Sequence, residues 1–363
     1  MVDHLPAMPR KGRGAVANAT GRYESEQRYA VDDGWQLPED NSLPVLKTTV
    51  GIDAAKSIIS RNSSPDLPFD QSINPYKGCE HGCIYCYARP THAYLGLSPG
   101  LDFETRLFAK PNAPDLLKKE LRKPSYQCKS IMLGANTDPY QPIERDHKIT
   151  RDILKVLSDF NHPVSITTKS DLVLRDLDIL TDMAARNLVS VAVSVTTLDG
   201  KLARAMEPRA PRPDKRLAAL EGLNANGIPT TVLASPMIPF LNDWELERIL
   251  EASSNAGAEA AHYILLRLPL ELREMFAEWL ETHTPGKANH VLNQLRESRN
   301  GTLYISDFST RMQGTGTHAD LLAKRFRLAS KRHGLNSAKD GKYDLDTSRF
   351  IVPPDVGDQL ELL

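Results

Sequence analysis

The chain predicts a parallel α/β fold, and three observations carry that prediction. Six short apolar runs recur between residues 69 and 271, and helix-patterned stretches separate them. The fourth run, Val189-Ser-Val-Ala-Val-Ser-Val195, is valine-rich throughout, as strands buried on both faces tend to be. Strand–helix–strand repeats within one sheet run parallel, because the crossover between them is right-handed.

Taken in order, the first strand is Ser72-Ile-Asn-Pro-Tyr76 and the second is Ser130-Ile-Met-Leu-Gly134, followed by a helix over about 146–160. Val164-Ser-Ile-Thr-Thr168 is the third, with a helix over 172–187, and the valine run is the fourth. The helix after it spans 213–226 and stops at Gly227, a C′ glycine. Pro229 to Ala234 forms the fifth strand, and the next helix starts at Asn242, with Asn242 and Glu245 spaced as a capping pair. Ala261 to Arg267 is the sixth.

Outside this core, residues 1–68 read as an irregular arm, basic at Arg10-Lys-Gly-Arg13 and with a turn at Asp32-Asp-Gly-Trp35. Residues 272–335 read as a helical cap around a hairpin-like stretch, Gly301 to Ser306, and 336–363 as a loosely ordered tail.

Composition narrows the function classes. A formal charge of −1 over 363 residues gives no global attraction to nucleic acid or to a membrane surface. No run approaches the roughly 18 apolar residues of a membrane span, and the start, Met1-Val-Asp-His-Leu-Pro, lacks the apolar core of a signal peptide. The expectation is a cytoplasmic enzyme with no membrane partner.

Three of the four cysteines fall within eight residues, Cys79-Glu-His-Gly-Cys83-Ile-Tyr-Cys86. This C-x3-C-x2-C spacing suits three thiolates on one iron–sulfur cubane. Electron-transfer clusters close the fourth iron with another cysteine; three ligands leave it open to an outside molecule. The competing reading is a zinc site completed by His81 or His92, but zinc sites usually add a second, distant ligand pair, and this chain has no second cysteine pair. Cys128 alone remains, a packing residue that leaves no set for an auxiliary cluster. Cluster thiols also need a reducing compartment.

That loop resembles the signature of the radical S-adenosylmethionine (SAM) superfamily. The longer string Asn74-Pro-Tyr-Lys-Gly-Cys79 through Arg89, with Glu207-Pro-Arg-Ala210 and Arg267-Leu-Pro269, is similar to the spore photoproduct lyase-related group, and within it to an uncharacterised bacterial family. The resemblance implies a partial (β/α)6 barrel and two cofactors, a [4Fe-4S] cluster on Cys79, Cys83 and Cys86, and S-adenosyl-L-methionine on the open iron. It further implies reductive cleavage of SAM to a 5′-deoxyadenosyl radical, which attacks an unidentified substrate. A reducing donor such as flavodoxin or ferredoxin is an implied partner.

The resemblance also places cofactor contacts. Tyr85 holds the position whose backbone lies near the adenine. The loop Gly134-Ala-Asn-Thr-Asp138 stands where many relatives have Gly-Gly-Glu, so Asn136, Thr137 and Asp138 become candidates for the methionine ammonium; an Asx turn before proline is the plainer reading. Lys169 and Ser194, at adjacent strand ends, suit the SAM carboxylate. Arg209 and Glu207 either reach the ribose or the substrate or pair with each other on the surface, and Ile238 either meets the adenine or packs its own loop.

Near the C-terminus, Thr317 and Asp320 form a capping pair rather than a phosphate cradle. The helix after them carries Lys324, Arg325, Arg327, Lys331 and Arg332 on one face. That face makes nucleic acid a candidate partner, although ordinary solvation explains it too. The alternative to an enzyme is a non-catalytic iron–sulfur or nucleic-acid-binding protein on the same scaffold.

Overall fold

The computed structural model describes residues 9–24, 46–337 and 344–354. The turn expected at Asp32–Trp35 lies outside them. Among the described residues ten strands form two sheets. In chain order they are β1 (Thr49–Ile52), β2 (Ile59–Arg61), β3 (Gln71–Ile73), β4 (Tyr76–Lys77), β5 (Arg106–Ala109), β6 (Ile131–Leu133), β7 (Val164–Thr168), β8 (Val189–Ser194), β9 (Thr230–Met237) and β10 (Ala260–Leu265).

The large sheet has the order β10-β9-β8-β7-β6-β3-β2. Its six strands from β3 to β10 are parallel and match the six predicted runs, with edges shifted by a few residues. β2 adds an antiparallel edge strand on β3, with Ile59 opposite Ile73. The short sheet β1-β5-β4 flanks the cysteine loop. The 1–68 arm is therefore not irregular throughout, since it supplies β1 and β2. These runs are too short and too exposed to leave a periodic signal.

The sheet is held chiefly by side chains on its outer face, where burial alternates along β7, β8 and β9. Val164, Ile166, Val189, Val191, Val193 and Val232 are fully buried, each contributing roughly 1.5–3 kcal/mol of hydrophobic transfer. Helices over Ile149–Asp159, Leu177–Ala185, Pro213–Ala225 and Leu246–Asn255 cover the outer face. The helix expected over 213–226 spans Pro213–Ala225 with Asn226 as its C-cap, followed by Gly227 at φ +70°.

Several boundaries differ from the sequence reading. The first predicted helix breaks at Lys148, whose φ is +54°. Asn242 does not cap the following helix. Its amide donates to the carbonyls of Thr196 and Pro236 while its Oδ1 accepts from Ile238 N, so it staples the loop after β9. Thr317 lies one residue inside the helix Gly316–Arg332, whose N-cap residue Thr315 makes no side-chain cap bond. No strand forms over 301–306 among the described residues.

The C-terminal helices do not act as one cap. Leu272–His283 and Pro285–Glu297 bury Phe276, Trp279 and Leu295 in a second core with Ile84, Tyr85, Met206 and Ile238, behind the cysteine loop. Helix Gly316–Arg332 joins the main core through Leu322 and Ala329 as the outer helix of the last β/α unit. Residues 344–354 also pack: Phe350 sits 5.6 Å from the Tyr126 ring and 5.5 Å from His162 at the N-terminal end of the barrel.

Candidate cofactor and substrate site

The cysteine loop takes its shape from what lies behind it. Gly82 has φ +68°, and a Cβ there would come within 2.6 Å of Glu104 Oε2. Gly14, in the arm, crosses so close that a Cβ would meet Gly82 O at 1.8 Å. Arg89 fills the space beneath the loop. Its Nε donates to Cys83 O at 2.8 Å, its Nη1 to Gly100 O at 2.9 Å and its Nη2 to Gly82 O at 3.0 Å, while the guanidinium pairs with Glu104. Glu104 in turn accepts from the amides of Gly14 and Ala15 at 2.9 and 2.8 Å. Arg89 and Glu104 are both fully buried.

Backbone bonds pin the same loop from other sides. Cys79 N donates to Phe103 O at 3.0 Å, and Ile84 N to Met206 O at 3.0 Å. Glu80 N donates to the Gln141 side chain, whose amide returns a bond to Gly78 O. These contacts hold three free thiols together, two buried and Cys86 half-buried.

Those thiols suit a cationic cluster. Burial, then nearby Asp138 and the other two cysteines, push the Cys79 thiol far above its usual range. Burial does the same at Cys83, opposed by Lys169. Three thiolates crowded together, two of them buried, are stable only around a positive core, and metal ligation deprotonates such thiols outright. Among the described residues no three His, Cys, Asp or Glu side chains form a site for one metal ion. His92, whose Nε2 lies 3.0 Å from Arg106 O, and His81, whose Nδ1 lies 3.3 Å from Asp138, therefore do not complete a zinc site with the cysteines among the described residues. A cubane puts each thiolate on a different iron, which three spaced cysteines can satisfy.

Cys83 and Cys86 open onto a cavity of about 640 Å³ at the C-terminal ends of the strands. This is where ligands sit in parallel α/β barrels. Of the eight residues expected to contact SAM, Tyr85, Asn136, Lys169 and Ser194 line the cavity. Lys169 Nζ stands 5.7 Å from the centroid of Tyr85, and it has no ion pair among the described residues. Ser194 Oγ donates only a long bond, 3.3 Å, to Ser235 O.

The structure puts the other four elsewhere. The Asp138 carboxylate accepts from Thr168 Oγ1 and Lys169 N, both at 2.7 Å, and from Tyr140 N at 2.9 Å. Burial opposes its ionisation, yet His81 and these donors hold it down at about 2. Its work is to tie the loop after β6 to the end of β7 and so set the Lys169 backbone. Thr137 donates to Tyr76 O at 2.9 Å. Arg209 pairs with Glu80 at 2.9 Å rather than with Glu207, which is buried against Arg216. Ile238 is fully buried in the core behind the loop.

Sequence reasoning missed Arg89, Glu104 and Gly14, although Arg89 stood in the quoted string. Nothing in a single sequence marks an arginine whose partners are mostly backbone carbonyls.

Comparison with known proteins agrees with this geometry. Residues 73–252 match the sequence model of the radical SAM superfamily. An uncharacterised protein of Mycobacterium tuberculosis is 39% identical over 221 residues, covering 60% of this chain and 65% of that protein. One of Methanocaldococcus jannaschii is 38% identical over 173 residues, covering 48% and 62%. The chain thus spans about 65% of the length of the first of these relatives. In fold it is similar to spore photoproduct lyase complexed with dinucleoside spore photoproduct. That match has a TM-score of 0.51 at 15% identity and covers 79% of this chain and 80% of the other. Among the described residues no helix is long and apolar enough to cross a membrane.

Proposed function

We propose that this protein is a radical SAM enzyme that binds one [4Fe-4S] cluster through Cys79, Cys83 and Cys86 and cleaves SAM reductively to act on a substrate in the same cavity. The observation that carries this reading is a cation without an ionic partner among the described residues, Lys169, sharing one cavity with two of the three free thiols of the loop. When bound, the cluster and SAM together supply one-electron cleavage of the sulfonium and a 5′-deoxyadenosyl radical that removes hydrogen from substrate.

The chain's own residues do the rest. Lys169 and Ser194 hold the methionine carboxylate, the lysine by a charge-assisted bond. Asn136 and the backbone carbonyls of the Gly134–Asn136 loop receive the ammonium. Tyr85, whose hydroxyl is 3.1 Å from Thr196 Oγ1, forms a fixed apolar wall beside them. Asp138 positions Lys169 through its backbone instead of touching the ligand. A flavodoxin or ferredoxin would deliver the electron.

Anaerobic iron and sulfide quantitation on single Cys→Ala variants tests the ligand set. Cys79→Ala, Cys83→Ala and Cys86→Ala should each lose the cluster, while Cys128→Ala should keep it. The Cys128 thiol is pushed up to about 12 by burial and takes no part in the cavity lining. Unchanged cluster content in any of the first three would refute the assignment.

A further inference from the structure

The stretch Arg267-Leu-Pro269 is not among the SAM contacts proposed above, yet its arginine lines the same cavity. It follows β10, three strands along the sheet from Lys169. The guanidinium lies 5.6 Å from the Tyr87 ring centroid and 6.0 Å from that of Tyr304. Its hydrogen bonds are weak: Nη1 to the Met312 sulfur and Nη2 to Tyr304 Oη, both at 3.4 Å. Its Nε is buried without a partner, and no carboxylate pairs with it among the described residues.

The surrounding charge is one-sided. Arg311 grips Asp66 with both prongs, at 2.5 and 2.6 Å, bridging from the segment beside β10 to the loop after β2. Arg299 is spent on carbonyls, those of Leu265, Leu266 and Arg311. Its own ionisation is depressed to about 10 by burial and by Arg267. Among the described residues three guanidiniums thus share one carboxylate. A charge left without a partner away from water is costly, so such an excess is retained where a ligand supplies the counter-charge. The planar fork of arginine fits the paired oxygens of a phosphate or carboxylate. An excess of two positive charges favours the more highly charged phosphate.

We propose that Arg267 seats a phosphate group of the substrate, and that the substrate is a phosphate-bearing compound. Tyr87 directly follows Cys86, so a molecule anchored beside Tyr87 has the rest of its length next to the cluster loop. This rests on the reading of the cavity as the SAM site, and it adds what shares that cavity.

The test uses reconstituted full-length protein with saturating SAM, which occupies Lys169, and inorganic phosphate as the probe, followed by 31P line broadening. Wild type should bind phosphate, and Arg267→Met should weaken binding at least tenfold, with Arg267→Lys in between. SAM binding by Arg267→Met should stay within threefold of wild type. Phosphate binding by Arg267→Met within twofold of wild type would overturn the proposal, as would acetate binding that shows the same dependence on Arg267. Competition by a nucleoside monophosphate would assign a small substrate; competition by a single-stranded oligonucleotide alone would assign a nucleic acid. If SAM fails to bind while Arg267-dependent phosphate binding persists, the cofactor reading falls and the phosphate site stands.

Discussion

Behind the cysteine loop and in front of it, the same residue types are used in opposite ways. Behind it, Arg89 and Glu104 are fully buried and satisfied: the arginine caps four carbonyls, and the carboxylate also binds two amides of the arm. In front, Lys169 and Arg267 lack carboxylate partners among the described residues and line a cavity. The difference teaches how to separate scaffold from site. Completed charge networks fix a loop, whereas incomplete ones beside empty volume await a ligand.

The comparison breaks first at Arg89. Arg89→Ala leaves Glu104 buried and unpaired and frees the carbonyls of Cys83 and Gly82. The cost should be about 3–5 kcal/mol in urea unfolding, with loss of cluster retention, since breaking one side of a buried pair is strongly destabilising. Stability changed by less than about 1 kcal/mol would mean the floor is not what shapes the loop.

A smaller effect sharpens the contrast with the far end of the barrel. Burial depresses His92, beneath the cysteine loop, and His162, beside Phe350, to about 4. The unfolded chain takes up these protons near pH 6.5, so between about 6.5 and 4 the unfolded state binds more protons. Stability should therefore be full above pH 6.5 and fall as pH drops toward 4, by up to on the order of 3 kcal/mol per histidine. Replacing His162 with Asn, measured by unfolding at a series of pH values, should flatten part of that slope. An unchanged slope would show that His162 is not neutral in the folded protein.

Much of this was legible in the sequence because it rests on local pattern. The valine run became β8, Gly227 ended its helix, and the close spacing of Cys79, Cys83 and Cys86 put three free thiols on one loop. What stayed hidden depends on partners distant in sequence. Asp138 has the right chemistry for an ammonium, but Thr168 and the Lys169 amide, thirty residues away, already occupy it. Asn242 and Glu245 have capping spacing, yet Thr196 and Thr197 across the barrel mouth recruit their side chains. The role of Arg89 requires knowing that the arm returns to Glu104.

The central claim is that the cavity holds SAM against the cluster loop for reductive cleavage. Its most direct test is the formation of 5′-deoxyadenosine by cluster-replete protein under a strong reductant, compared with Lys169→Ala. The account predicts deoxyadenosine well above a cluster-free control, and SAM binding weakened in the variant by roughly 1.5–3 kcal/mol, the worth of a charge-assisted bond. No deoxyadenosine from protein with a full cluster would contradict it.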